Sequence, residues 1–367
     1  MLQVVQSQLL CYVSDKIQVS DQMFKDNSVF VVGAGASHEF GLPIGWDLTQ
    51  TIKANCDIVL NQWGEYQSGS RAVFNHYVRM FSTQSEDNVD KIKSRLRASW
   101  QIRDGIESAD SIDEYIFRYT SDPLIAEVGK LNIAHAISSA ESKSLLKVKE
   151  GSVFDVRDAT NTWIWGFAKA LMNGIRADDV SEVGNNITII CFNYDRCIEH
   201  YLEHALAQGF HGLTATEAKS IVESINIIHP YGWLGDLQRF PYGDTRQFPA
   251  MADNIITWSE SVRDPEIISK MRLAIEGASQ IVFMGFGFAA QNMDLLDCRR
   301  DYVPATPPAV YSTGYSLPRE TQGVLTSKIV SLYSAADWYD PDTQKVHFQY
   351  GATCKEFFDI HRLNLVI

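Results

Sequence analysis

The segment Val29–Leu48, VFVVGAGASHEFGLPIGWDL, constrains the fold more than any other stretch of the chain. Val29, Phe30, Val31 and Val32 form a wholly apolar run, which suits a strand buried on both faces of a parallel sheet. Gly33, Ala34, Gly35 and Ala36 then turn the chain, and Ser37 stands where a helix would begin. A buried strand that passes through a glycine turn to a helix N-terminus is how α/β proteins cradle a diphosphate. Glycine lets the backbone come close to the phosphate, and free N–H groups with the helix dipole favour negative charge. The spacing lacks the third glycine of the dinucleotide fingerprint, and no Gly-Lys-Ser/Thr follows. Neither hydride transfer nor a P-loop is therefore the first inference. The same turn also fits a strand-to-helix connection with no ligand.

Other apolar runs extend the pattern. Ile187–Phe192, Ile225–Ile228, Ile281–Met284 and Ala309–Thr313 read as strands, each ending in polar or glycine-rich residues, and Asn254–Trp258 reads as a further short strand. In open α/β sheets, ligands collect at the carboxyl ends of strands. The residues between the first strand and Ile187 show no strong β signal. They predict helices over 47–59, 70–81, 88–105, 122–146 and 155–174, too much chain for one crossover helix. The expected fold is α/β: a Rossmann-like parallel sheet flanked by helices, with a large helical insertion after the first strand. The expected organisation is an N-terminal helix over 1–27, a nucleotide-binding domain over 28–315 with the insertion at about 47–180, and an α/β extension of that domain over 316–367.

Composition narrows function. The chain has 367 residues with 45% hydrophobic residues, enough for a sizeable core. Its net charge of −13 makes it a poor general binder of nucleic acid. The most basic stretch, Lys91–Arg97, reads as a solvated helix face. The six cysteines form no CxxC pair, so no structural zinc site is readable. Scattered cysteines, with no readable signal peptide or membrane span, predict a cytoplasmic protein. His200 and His204 have a spacing able to hold a metal, but no acidic partner pattern accompanies them.

The strand ends carry the candidate chemistry. Phe192-Asn193-Tyr194-Asp195 follows one strand, His229 with Gly232 another, and Gly285-Phe286-Gly287-Phe288 a third. Taken singly, Asn193 and Asp195 also suit a helix N-cap, His229 a turn histidine, and Asp113 a helix cap. Together with Gly33-Ala34-Gly35-Ala36-Ser37, Gly41-Leu42-Pro43 and Ser111-Ile112-Asp113-Glu114-Tyr115, the set resembles the sirtuin-like NAD-hydrolysing domains of bacterial antiphage defence systems, over roughly residues 28–315. The resemblance implies that Gly33, Ala34, Gly35 and Ser37 hold the diphosphate. Asn193 would contact the nicotinamide ribose and position a water, and Asp195 would bind near the nicotinamide amide or its ribose. His229 would be the general base, Asp113 would join the binding site, and Gly285 and Gly287 would line the adenosine side. Protein-deacetylating sirtuins carry a zinc module with two cysteine pairs, and their glycine motif continues differently from Gly41-Leu42-Pro43-Ile44-Gly45-Trp46. Both departures point to simple hydrolysis of NAD to nicotinamide and ADP-ribose, without a metal.

The resemblance further implies an effector that depletes NAD during infection, with a homo-oligomer and a partner such as a HerA-type ATPase. No membrane and no direct nucleic-acid partner are expected. Phe74, Tyr77, Met80 and Phe81 lie at helical spacing and suit either a subunit interface or the core. Two rivals differ in class: a non-catalytic NAD or ADP-ribose sensor, which would keep the glycines without needing Asn193 or His229, and a nuclease subunit of a defence complex, disfavoured by the acidic balance.

Overall fold

The computed structural model describes residues 23–81, 85–149, 151–262, 264–298, 306–335 and 346–366. Most of the expected N-terminal helix lies outside them, as do the tail residues 336–345. A six-stranded, all-parallel sheet forms the centre. Its strands, numbered in chain order, are β1 (Ser28–Val32), β2 (Ile187–Cys191), β3 (Asn226–Ile228), β4 (Gln280–Met284), β5 (Ala309–Gly314) and β6 (Val346–Tyr350). They lie in the order β3-β2-β1-β4-β5-β6. This is the doubly wound Rossmann order, and its reversal point lies between the carboxyl ends of β1 and β4.

The continuous apolar run of β1 has a direct structural cause. Val29 and Val31 enter one apolar cluster, Phe30 and Val32 the other, and all four are almost fully buried. Each such side chain contributes about 1.5–3 kcal/mol relative to exposure, so the strand has no solvent face on which to place a polar residue.

Between β1 and β2 the chain forms the helices Ala34–His38, Gly45–Cys56, Arg71–Met80, Glu86–Gly105, Ile112–Arg118, Pro123–Glu141 and Trp163–Met172. A two-stranded hairpin, Val59–Leu60 with Tyr66–Ser68, interrupts them. Local chemistry sets the starts: Ser70, Ser85, Ser111 and Asp122 each accept a backbone N–H in the first turn, and Pro123 stands just inside its helix. Ala36 of the first helix joins the cluster of Phe30 and Val32, whereas the helices from Gly45–Cys56 to Pro123–Glu141 share that of Val29 and Val31. Trp163–Met172 packs on the opposite cluster with the final helix, Cys354–Leu365.

The structure departs from the local reading at several points. The expected strand Asn254–Trp258 is absent: Ile255 makes one isolated bridge to Gly232, and a helical turn starts at Trp258. The first helix begins at Ala34 rather than Ser37. The expected helix over 122–146 stops at Glu141, and 155–174 divides into a 3-10 turn, Val156–Ala159, and the helix from Trp163. The aromatic stripe divides too: Tyr77 is buried beside Ser99 in this chain's own core, whereas Met80 is exposed. The basic stretch lies on the helix Glu86–Gly105, where Arg95 pairs with Glu127 and Lys93 with Asp90. No helix among the described residues is long and apolar enough to cross a membrane.

Candidate functional site

Parallel strands deliver the candidate residues to one edge of the sheet. The turn after β1 lies at the reversal point and locks onto the end of β4. Gly33 N–H donates to the Met284 carbonyl at 3.0 Å, and Gly35 N–H to the Gly285 carbonyl at 3.0 Å. Gly285 N–H donates in turn to Thr313 Oγ1 at 2.9 Å. A Cβ on Gly33 would stand 2.6 Å from the Gly285 oxygen, and one on Gly35 2.8 Å from Gly285 Cα. Gly285 itself has φ +58°, and its Cβ would meet the Ala36 nitrogen at 2.0 Å. These three glycines are therefore required by the contact between two strand ends. Gly287 differs, since it is exposed and a Cβ there meets nothing within 4 Å.

The loop after β2 reaches the same turn. Asn193 is buried and donates from Nδ2 to the Gly33 carbonyl at 3.1 Å and to Ser37 Oγ at 2.9 Å. Asp195 is also buried, and its Oδ1 accepts the Cys197 N–H at 3.1 Å at the start of the helix Cys197–Gly209. Burial raises its pKa, while hydrogen bonds from Cys197 and Ser37 pull it down. Gly33, Ser37, Asn193 and Asp195 thus form one compact polar cluster.

The intervening residues point elsewhere. The Tyr194 hydroxyl donates to Asp113 Oδ1 at 2.5 Å. Burial pushes the Asp113 carboxyl up to about 6, although this hydrogen bond works against it. Arg196 forms a fully buried ion pair with Glu141, and its guanidinium also donates to the Gly235 and Phe240 carbonyls. Alternate residues of the loop therefore grip the glycine turn (193 and 195) and the helices that follow it (194 and 196). Tyr231, Phe192 and Phe286 pack beside the loop, with the Tyr231 hydroxyl on Asn292 Oδ1 at 2.7 Å.

His229 follows β3 and has different surroundings. Its Nε2 lies 2.7 Å from Glu199 Oε1, and its ring stacks on Trp233 at 5.1 Å. Burial works to lower its pKa, yet the Glu199 carboxylate carries it well above the usual histidine range. The Cys191 thiol lies beside the same ring and adds to this rise. A cavity of about 550 Å3 opens beside this pair. None of the His229 hydrogen bonds reaches Ser37, Asn193 or Asp195.

Glu199 is the partner that sequence reasoning passed over, although it lies one helical turn beyond Asp195. Its contact to His229 follows from the adjacency of β2 and β3, each of which delivers one member from its carboxyl end. His200 and His204 do not gather as a metal site. His200 bonds the Leu146 carbonyl and stacks on Tyr242, His204 packs on Phe154, and burial lowers the His200 pKa to about 3. Among the described residues no group of three His, Cys, Asp or Glu side chains could hold a metal ion. No protein-family model matches the chain, and no curated protein matches it.

Proposed function

We propose that this chain is an NAD hydrolase that releases nicotinamide and ADP-ribose, acting as an effector that depletes NAD in antiphage defence. The observation that carries the reading is the bond pair from Asn193 to the Gly33 carbonyl and Ser37 Oγ, which joins two candidate motifs at the reversal point of a Rossmann-like sheet. In this reading the Gly33–Ser37 turn receives the diphosphate, and Asn193 and Asp195 stand at the ribose and nicotinamide. Cleavage builds positive charge on the sugar, and fixed polar groups at the reacting centre favour it. His229 serves as base from its pair with Glu199, so it must first lose the proton that Glu199 stabilises. The chemistry as written calls for no metal. A homo-oligomer and an ATPase partner of the HerA type belong to the same reading, as does a cytoplasmic setting.

One observation favours the sensor reading. Both hydrogens of Asn193 Nδ2 are held by acceptors within the protein, the Gly33 carbonyl and Ser37 Oγ, which suits a clamp on the glycine turn rather than a group at a reacting centre. The test is incubation of the purified chain with NAD, with chromatography of the products and a parallel measurement of NAD binding. Equal release of nicotinamide and ADP-ribose, unaffected by EDTA, supports the hydrolase. Binding without turnover, alone and with partner, replaces it with the sensor.

A further inference from the structure

The loop that carries Asn193 and Asp195 to the glycine turn is itself neither strand nor helix. Its ends are fixed: Phe192 N–H donates to the Val32 carbonyl at 2.9 Å, and Arg196 N–H to Glu141 Oε1 at 3.2 Å. Between them, side chains decide which way the loop faces. Asn193 and Asp195 reach the turn after β1, so the residue between them is directed elsewhere. That residue, Tyr194, is held at both ends. Its carbonyl accepts the Leu234 N–H at 3.0 Å, and its hydroxyl donates to Asp113 Oδ1 at 2.5 Å. Tyr194 and Asp113 are both buried, where a hydroxyl that loses its acceptor has no water to replace it.

Asp113 is firmly seated. It lies in the first turn of the helix Ile112–Arg118, whose Ile112, Tyr115 and Ile116 are almost fully buried. Ser111 Oγ accepts the Glu114 N–H at 3.1 Å, and the Tyr115 hydroxyl donates to the Gln101 carbonyl at 2.7 Å. A helix from between β1 and β2 thus holds a loop at the sheet edge that lies 81 positions further along the chain. The Asp113 carboxyl bonds the Tyr194 hydroxyl, whereas Asn193 bonds Gly33 and Ser37. Asp113 therefore meets the loop from the side that the glycine turn does not occupy.

We propose that Asp113 is a positioning residue, which keeps Asn193 and Asp195 turned toward the glycine turn by anchoring the Tyr194 hydroxyl between them. This role rests on the hydrolase reading for its effect on turnover, and it makes Asp113 act through the loop rather than by touching NAD. The carboxyl is then needed as an acceptor and not as a charge. Tyr194→Phe keeps the ring and removes the hydroxyl, and Asp113→Ala removes the acceptor. The two variants break one bond from opposite ends, so either serves where the other does not fold. Asp113→Asn keeps an acceptor without the charge.

Two readouts are taken on the full-length chain: hydrogen exchange of the Phe192, Arg196 and Cys197 amides, and nicotinamide release as a function of NAD concentration. Tyr194→Phe and Asp113→Ala should each speed exchange at these amides by about tenfold or more, with the strand Gln280–Met284 unchanged. Each should lower kcat by about 10- to 100-fold, the scale of a misplaced reacting group, with KM changed far less. The double variant should lose no more than either single one. Asp113→Asn should recover kcat to within severalfold of the parent and show parental exchange. Parental exchange in both Tyr194→Phe and Asp113→Ala overturns the role, as does faster exchange with undiminished kcat. Asp113→Asn that loses turnover as fully as Asp113→Ala, with parental exchange, also overturns it, because the charge then acts on NAD directly. If the parent releases no nicotinamide, the hydrolase reading falls by itself, and the exchange measurement decides whether Asp113 holds the loop.

Discussion

The glycine-turn cluster and the His229 cavity solve opposite problems at neighbouring strand ends. Around Gly33, Ser37 and Asn193 the groups are close-packed and joined by hydrogen bonds to backbone. Around His229 they are charged, paired across adjacent strands and open to a cavity. Precision in the first region comes from sterics, because there is no room for a Cβ at three positions. In the second it comes from electrostatics, because the Glu199 carboxylate raises the His229 pKa against the effect of burial. Substitutions should therefore act through geometry in one region and through pH in the other.

The largest expected effect is at Asn193. Asn193→Ala should lower nicotinamide release by about 100- to 1000-fold, the usual cost of losing a fixed polar group at a reacting centre. Circular dichroism should show the fold retained. Near-parental turnover would remove Asn193 from the catalytic reading and leave it as a clamp on the glycine turn. Gly285→Ala comes next. It combines a left-handed φ with a 2.0 Å approach to the Ala36 nitrogen, so a loss of about 3 kcal/mol is expected. An unfolding midpoint within a degree of the parent would mean that the two strand ends separate easily.

Glu199→Gln tests the electrostatic side. In the parent, His229 stays protonated beyond the usual histidine range, so a rate that needs the neutral ring should rise only above pH 6.5. Removing the Glu199 charge takes away the largest of the effects that raise the His229 pKa, leaving burial to lower it against the smaller pull of Cys191. The acid limb of the pH–rate profile should therefore move to lower pH. The stability sign is the reverse. A histidine whose pKa is raised on folding stabilises fully below about pH 6.5, and this contribution is lost as pH rises through its folded value. The variant's deficit in stability should therefore be greatest in mildly acidic buffer. An unchanged acid limb would show that His229 does not carry the titrating proton, and Asp113, pushed up to about 6, becomes the group to examine.

These contrasts mark what was legible in the chain. The central strands of the sheet were readable because parallel strands covered on both faces appear as unbroken apolar runs, as Val29–Val32 and Ile281–Met284 do. Ile255 and Ile256 imitated such a run, but Ile255 makes only an isolated bridge to Gly232. Asn193 was legible as a polar residue beyond a strand end; its contact with Ser37, 156 positions away, depends on β2 lying beside β1. The same limit hid Glu199, whose partner lies 30 positions on at the end of β3. The glycines were recognised, yet their spacing carries no sign that Gly285 is the neighbour that excludes a side chain. Local spacing reports which residues suit a turn, whereas strand order decides what the turn touches.

The smallest expected effect belongs to Gly287 and separates packing from binding most cleanly. Unlike Gly33, Gly35 and Gly285, it is exposed, and a Cβ there would meet open space. Its φ lies outside the left-handed region that favours glycine, so alanine brings no backbone strain. Gly287→Ala should change stability by no more than about 0.5 kcal/mol, as at other unconstrained surface positions. If the adenosine side of NAD lies against this residue, the added methyl occupies ligand space, and KM should rise severalfold with kcat and the unfolding midpoint unchanged. Parental values for all three would place NAD away from Gly287, leaving Gly285 as the glycine of this motif that matters, through its contact with the turn after β1.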